Sequence, residues 1–162
     1  MMGITEVIEN LYISGLESPT TILNRGIRSV INISSECPVQ QLGPTVDYEK
    51  ISIQDSPNAS IQVYFDRLTN RIEQNLQQGK KTLVHCYVGR SRSATIILGN
   101  ETLSLLPRRR LPISFSPSAY LMRYQQMSLR DAYDYLLSRR PIIGPNFGFM
   151  NQVILRFDSP VP

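Results

Sequence analysis

Cys86 and Arg92 stand six positions apart in the string His85-Cys86-Tyr87-Val88-Gly89-Arg90-Ser91-Arg92-Ser93. A cysteine attacks an electrophile only as its thiolate, and a guanidinium fork grips two oxygens of a phosphate or sulfate at once. The separation is short enough for Arg92 to fold back over an oxyanion that faces the Cys86 sulfur. The chemistry on offer is nucleophilic attack on phosphorus within an anion-binding bowl. Taken alone, a cysteine after an apolar strand is usually a small packing residue. The whole string argues for the nucleophile instead.

Such a bowl needs a particular scaffold. Thr82-Leu83-Val84-His85 reads as a short apolar strand, and a helical run begins near Ala94. The loop between them, tightened at Gly89, turns successive backbone N–H groups inward and aims a helix N-terminus at the bound anion. The amides, the helix end and Arg92 all stabilise negative charge on sulfur. Elsewhere, Ile27 to Ile33 alternates apolar and polar residues as a half-buried strand does. A short helix over Pro19 to Asn24 precedes it and ends at Arg25-Gly26. Tyr48 to Ile53 reads as another strand, broken by Asp55-Ser56-Pro57-Asn58. Ile61, Phe65, Leu68, Ile72 and Leu76 fall at helical spacing, and Gln78-Gly79 closes that helix. Leu129 to Leu137 and Phe149 to Phe157 predict two more helices. Strands alternating with helices predict an α/β layer fold.

The chain has 162 residues, enough for one domain with a proper core. Its 41% hydrophobic and 19% charged residues are ordinary for a soluble globular protein. No run reaches the roughly 18 apolar residues of a membrane span. The first residues lack the features of a signal peptide or a myristoylation site. A cytoplasmic protein, also able to enter the nucleus, is the expectation. The 2 cysteines, Cys37 and Cys86, make no disulfide framework, and with 1 histidine they leave too few ligands for zinc. No metal and no cofactor are expected. The net charge of +4 is mild, and Arg108, Arg109 and Arg110 supply much of it, so no nucleic-acid partner is indicated.

The segment His85 to Ser93 resembles the signature loop of the protein tyrosine phosphatase superfamily, and its surroundings resemble the small, atypical dual-specificity phosphatases. Glu9 to Gly15, Asp55 to Asn58 and Arg140 to Phe149 support that resemblance. It covers roughly residues 5–157, leaving 158–162 as a short tail. It implies a single-domain α/β fold with a central five-stranded sheet flanked by helices. It also implies a pocket that admits phosphoserine and phosphothreonine as well as phosphotyrosine, on phosphorylated protein substrates.

Under this resemblance Cys86 attacks phosphorus, and Arg92 with the amides of Tyr87, Val88, Gly89, Arg90 and Ser91 holds the phosphoryl oxygens. Asp55, 31 positions before Cys86, matches the general acid. On the residues alone it reads equally well as a turn-forming aspartate. Ser93 matches the hydroxyl that eases departure of the thiolate. His85 is assigned a structural role, ordering the loop through its ring. Asn146 stands where the family ties the loop backbone down, and a turn asparagine after Pro145 is the competing reading.

Three departures stand out. Tyr87 and Val88 occupy positions where relatives often carry small residues, which predicts altered packing beneath the bowl without loss of chemistry. Arg90 adds a cation at the rim, either solvated or favouring acidic substrate neighbours. Residues 99–118 interrupt a helix that would be continuous if Leu98 were joined to Ala119. That insertion carries Gly99, Asn100 and three prolines, Pro107, Pro112 and Pro117, and proline cannot continue a helix. Gly99-Asn100 can be encoded across a splice donor, and Leu111 to Ser118 by pyrimidine-rich codons, so the insertion reads as a translated intron or a gene-model error. A surface loop tipped by Arg108 to Arg110 is the functional alternative. Cys37 reads either as a bystander or as a redox partner for Cys86.

Two other functions compete with the protein phosphatase. One is an inactive phosphate-binding adaptor disabled by the insertion. The other is a phosphatase of phosphoinositides or RNA 5′-phosphates, which near-neutral charge outside the insertion disfavours.

Overall fold

A computed structural model of the chain describes residues 3–99 and 128–158. The insertion beyond Gly99 and the tail after Asp158 lie outside the described residues.

Five strands form one sheet in the order β1-β2-β5-β3-β4. They are β1 (Thr5–Ile8), β2 (Leu11–Ser14), β3 (Ser29–Ile33), β4 (Asp47–Ile51) and β5 (Thr82–His85). β1 runs antiparallel to β2, and every other pairing is parallel. Among the described residues five helices accompany the sheet: α1 (Pro19–Asn24), α2 (Phe65–Gln77, preceded by a 3-10 turn), α3 (Arg92–Gly99), α4 (Leu129–Arg139) and α5 (Phe147–Asp158).

Parallel strands are covered on both faces, and their residues show it. Leu11, Ile13, Ile31, Ile33 and Val84 pack against α2 to α5. Tyr12, Val30 and Leu83 pack with Ile22 and Ile27 on the other face. All of β3 is therefore buried, against the half-buried strand that its alternation predicts. Its polar residues are satisfied internally: Asn75 Nδ2 donates to Ser29 Oγ at 3.0 Å, and Ser34 Oγ donates to Asn32 Oδ1 at 2.6 Å.

Local signals fix the element ends. Ser18 caps α1 by accepting from Thr21 N, with Pro19 in the first turn. Gly79 follows α2 with φ +69°, a conformation that costs glycine little. The arrangement that matters most for function is the register of the central strands. Ser14 of β2 pairs with His85 of β5, and Asn32 of β3 pairs with the same His85. The C-terminal ends of three parallel strands thus finish level. The loops after them, starting at Gly15, Ser34 and Cys86, emerge together, as in open α/β sheets whose ligands bind beyond the strand ends.

Candidate active site

The loop from Cys86 to Ser91 is held from outside through its carbonyls. Tyr87 O accepts from Leu16 N at 2.9 Å, and Arg90 O accepts from Gly144 N at 2.9 Å. Arg140 reaches two more, donating from Nε to Gly89 O at 2.8 Å and from Nη2 to Val88 O at 3.3 Å. Ser91 O accepts from Thr95 N at 2.9 Å. His85 Nδ1 lies 3.2 Å from Cys86 O, where it donates to that carbonyl. In a planar trans peptide the carbonyl and the next N–H point in opposite directions. Six outward carbonyls therefore direct the N–H groups of residues 87 to 92 into the bowl.

Cys86 lies at the floor, 2% exposed. Its Sγ accepts from Gly89 N at 3.3 Å and lies 3.2 Å from Ser93 Oγ, the first full turn of α3. Both contacts place hydrogen-bonding groups at the sulfur. Gly89 is required here by geometry: its φ is +76°, and a Cβ would fall 2.4 Å from the Ser14 carbonyl carbon. Gly15 faces the loop from the other side, where a Cβ would meet Tyr87 O at 2.7 Å.

Arg92 is 4% exposed and is clamped in place. Nη1 donates to Glu36 Oε2 at 2.7 Å and to Ile53 O at 2.8 Å, while Nη2 donates to Glu36 Oε1. A guanidinium has five N–H donors in a fixed plane. Glu36 and Ile53 occupy three. Nε is buried with no partner among the described residues. Its N–H and the second Nη2–H form the free edge of the fork, the shape that takes two oxygens of a phosphate side-on. Hydrogen bonding from Arg92 holds the Glu36 carboxyl at about 2. Burial works against the Arg92 charge, but Glu36 and Cys86 more than offset it and its pKa rises.

Asp55 is exposed at the mouth. Asn146 Nδ2 donates to Asp55 Oδ1 at 2.9 Å, and Asn146 Oδ1 accepts from Phe149 N at the start of α5. The tie from Asn146 to the Cys86 loop runs through its backbone: Asn146 N donates to Ser91 Oγ at 3.0 Å. Sequence reasoning expects this asparagine to fasten the loop backbone. The side chain instead fastens the acid, because the turn at Pro145 places the amide between Asp55 and α5. Arg90 is exposed and lies against Gly144, with Nε 3.2 Å from where a Cβ would stand. The side chains of Tyr87 and Val88 are 56% and 53% exposed, so they line the surface beside the bowl and are not packed beneath it.

His85 is buried, and desolvation lowers its pKa below 6.5. Its neutral ring is bonded through Nδ1, and Nε2 is left without a partner among the described residues.

Two groups that build the site receive no role from the sequence. Arg140, 1% exposed, binds the loop carbonyls and also donates from Nη1 to Gly3 O at 2.9 Å and Thr5 Oγ1 at 2.8 Å. Burial pushes its pKa down, while the charges of Cys86 and Glu17 oppose that shift. Glu36 leaves β3 in the run Ser34-Ser35-Glu36-Cys37, and only the strand order reveals that this turn faces Arg92. Cys37 beside it is a buried free thiol, as is Cys86.

The chain that builds this site is similar to known proteins over most of its length. The family model described as "Dual specificity phosphatase, catalytic domain" matches residues 11–99 and 117–158, passing over the stretch between. The chain belongs to the dual-specificity phosphatases, enzymes of the protein-tyrosine-phosphatase type. It is 34% identical over 155 residues to dual specificity protein phosphatase 14 of Mus musculus, covering 94% of this chain and 68% of the relative. It is 32% identical over 150 residues to the putative tyrosine phosphatase 123R of Invertebrate iridescent virus 6, covering 92% and 88%. Among solved structures it is similar to DUSP15 (TM-score 0.74, 26% identity, 98% of this chain and 90% of that one). It is also similar to the human tyrosine phosphatase-like serine/threonine/tyrosine-interacting protein (TM-score 0.70, 27% identity, 93% of each chain). Among the described residues, no helix is long and apolar enough to cross a membrane.

Proposed function

We propose that this chain hydrolyses phosphotyrosine, phosphoserine and phosphothreonine in proteins through a phosphocysteine formed on Cys86. The reading is carried by one observation: a buried Arg92 keeps its Nε–Nη2 edge free in the same site where the Cys86 sulfur opens a loop of inward amides, Gly89 N at 3.3 Å among them.

Cys86 Sγ attacks phosphorus as the bond to the ester oxygen breaks, and Asp55 gives that oxygen its proton. Arg92 and the amides hold the phosphoryl oxygens, which supplies the charge stabilisation this chemistry needs. In the second step Asp55 takes a proton from water, the water oxygen attacks phosphorus, and the P–S bond breaks to release phosphate and thiolate. Ser93 Oγ, 3.2 Å from the sulfur, donates a hydrogen bond to the departing thiolate. A solved relative named as an interacting protein supports keeping the binding-only alternative as an outcome of the test.

The test is kcat/KM for a small aryl phosphate without added metal, measured on the full chain, on Cys86→Ser and on a chain lacking 99–118. Turnover by the full chain but not by Cys86→Ser is the expected result. Turnover by the shortened chain alone assigns the insertion a disabling role. Phosphopeptide binding with turnover by neither replaces the hydrolase with an adaptor.

A further inference from the structure

A second concavity of about 670 Å3 opens beside the bowl. Tyr87 and Val88 form its boundary with the phosphate loop, and Gly3, Gly15, Leu16, Glu17, Arg140 and Ile142 complete it. Cys86, Arg92 and Asp55 are not among its lining residues. The volume is that of a small-ligand site.

Its chemistry differs from that of the bowl. Leu16, Tyr87 and Val88 are 39%, 56% and 53% exposed, an apolar surface that phosphate binding does not use. Glu17 brings a carboxylate whose charge acts on Arg140 but which accepts no hydrogen bond and joins no ion pair among the described residues. Arg140, the other charged wall residue, donates to four neutral acceptors: Gly3 O, Thr5 Oγ1, Val88 O and Gly89 O. The walls are stiff as well. Leu16 N is bonded to Tyr87 O, and Gln40 Nε2 donates to Glu17 O at 2.6 Å.

A peptide whose phosphoresidue sits over Cys86 must cross Tyr87 or Val88 if it runs to this side. An apolar slot with a carboxylate that accepts no hydrogen bond among the described residues suits a side chain with a long aliphatic stem and a cationic head. We infer that this pocket receives an arginine or lysine close to the phosphoresidue of the protein substrate, with the stem against Leu16, Val88 and Ile142 and the head toward Glu17. The inference rests on the phosphatase reading and adds a substrate preference to it. It also opposes the pocket to the exposed cation Arg90, which stands against Gly144 on its own part of the rim.

The test uses short phosphotyrosine peptides on an alanine background, carrying Arg, Leu or Glu at each nearby position in turn. The full chain should prefer Arg to Glu by about fivefold in kcat/KM at one position, the size of a rim ion pair with stem burial. Glu17→Lys should reverse that preference and Glu17→Gln should abolish it, with aryl phosphate turnover unchanged in both. A preference that survives Glu17→Lys, equal rates for Arg and Glu everywhere, or Leu favoured over Arg would each overturn the assignment. If the full chain turns over no aryl phosphate, the phosphatase reading fails separately. The same peptides, read as fluorescence-anisotropy binding to the Cys86→Ser form, then decide the pocket by the same order of preference.

Discussion

Glu36 and Arg92 form a bidentate ion pair that uses one edge of the guanidinium and leaves the other for substrate. Glu36 is therefore a positioning residue. Replacing it by Gln should lower kcat/KM for aryl phosphate about tenfold to a hundredfold, the range associated with small misplacements of a catalytic group. Steady-state kinetics on Glu36→Gln checks this, and unchanged kinetics would remove Glu36 from the site. Because its folded carboxyl sits at about 2, below the ordinary 4.5, the pair stabilises the fold above pH 4.5 and loses that effect as pH falls toward 2.

Asp55 and Asn146 act together. Asp55→Asn should lower kcat on phosphoserine peptides, whose leaving oxygen needs a proton, by about a hundredfold or more. The loss should be smaller for an aryl phosphate with a good leaving group. Asn146→Ala should follow the same substrate pattern to a lesser degree. It should also cost about 1 kcal/mol of stability through loss of the bond to Phe149 N. Equal losses on both substrates would argue against a general acid at Asp55.

These residues mark what was legible in the sequence. Cys86, Arg92 and Gly89 were legible because strand, loop and helix are contiguous, so one local string carries the whole anion bowl. The spacing of Phe65, Leu68, Ile72 and Leu76 revealed α2 for the same reason. β1 and β2 were not identified as strands, because each has only 4 residues and little room for a pattern. Glu36 and Arg140 were illegible for another reason. Glu36 reaches Arg92 across 56 positions, and Arg140 reaches Gly89 across 51. Their partners follow from strand order and helix packing, which no local pattern encodes.

Arg140 should prove the largest single stabiliser of the loop. Arg140→Met leaves the buried bond to the Gly89 carbonyl and the part-buried bond to the Val88 carbonyl without their donor, at a cost of about 3 kcal/mol. Arg140→Lys should rescue little, since a point donor cannot span the same four acceptors. Urea unfolding of both variants measures this, and a loss below about 1 kcal/mol for Arg140→Met would refute it.

His85 supplies a pH dependence. Its folded pKa is lowered from 6.5 by burial, so the unfolded chain binds a proton that the folded chain does not. Its neutral form stabilises the fold above pH 6.5, and that contribution is lost as pH falls from 6.5 through the folded pKa. Thermal unfolding followed from neutral to mildly acidic pH should show this decline, and His85→Gln should flatten it. An identical slope in the variant would assign the effect to other groups.

The direction of α3 has a mechanical consequence. Arg92 begins the helix at the bowl, and Gly99 ends it about 10 Å further along the axis. At that far end Gly99 is wedged against the Phe65 ring, where a Cβ would come within 2.6 Å. The helix is thus a post bolted at both ends, with the reagents mounted on its cap. Pressure at Gly99 is pressure on the foot of that post, so Gly99→Ala should first be felt as altered melting behaviour and only afterwards as altered chemistry.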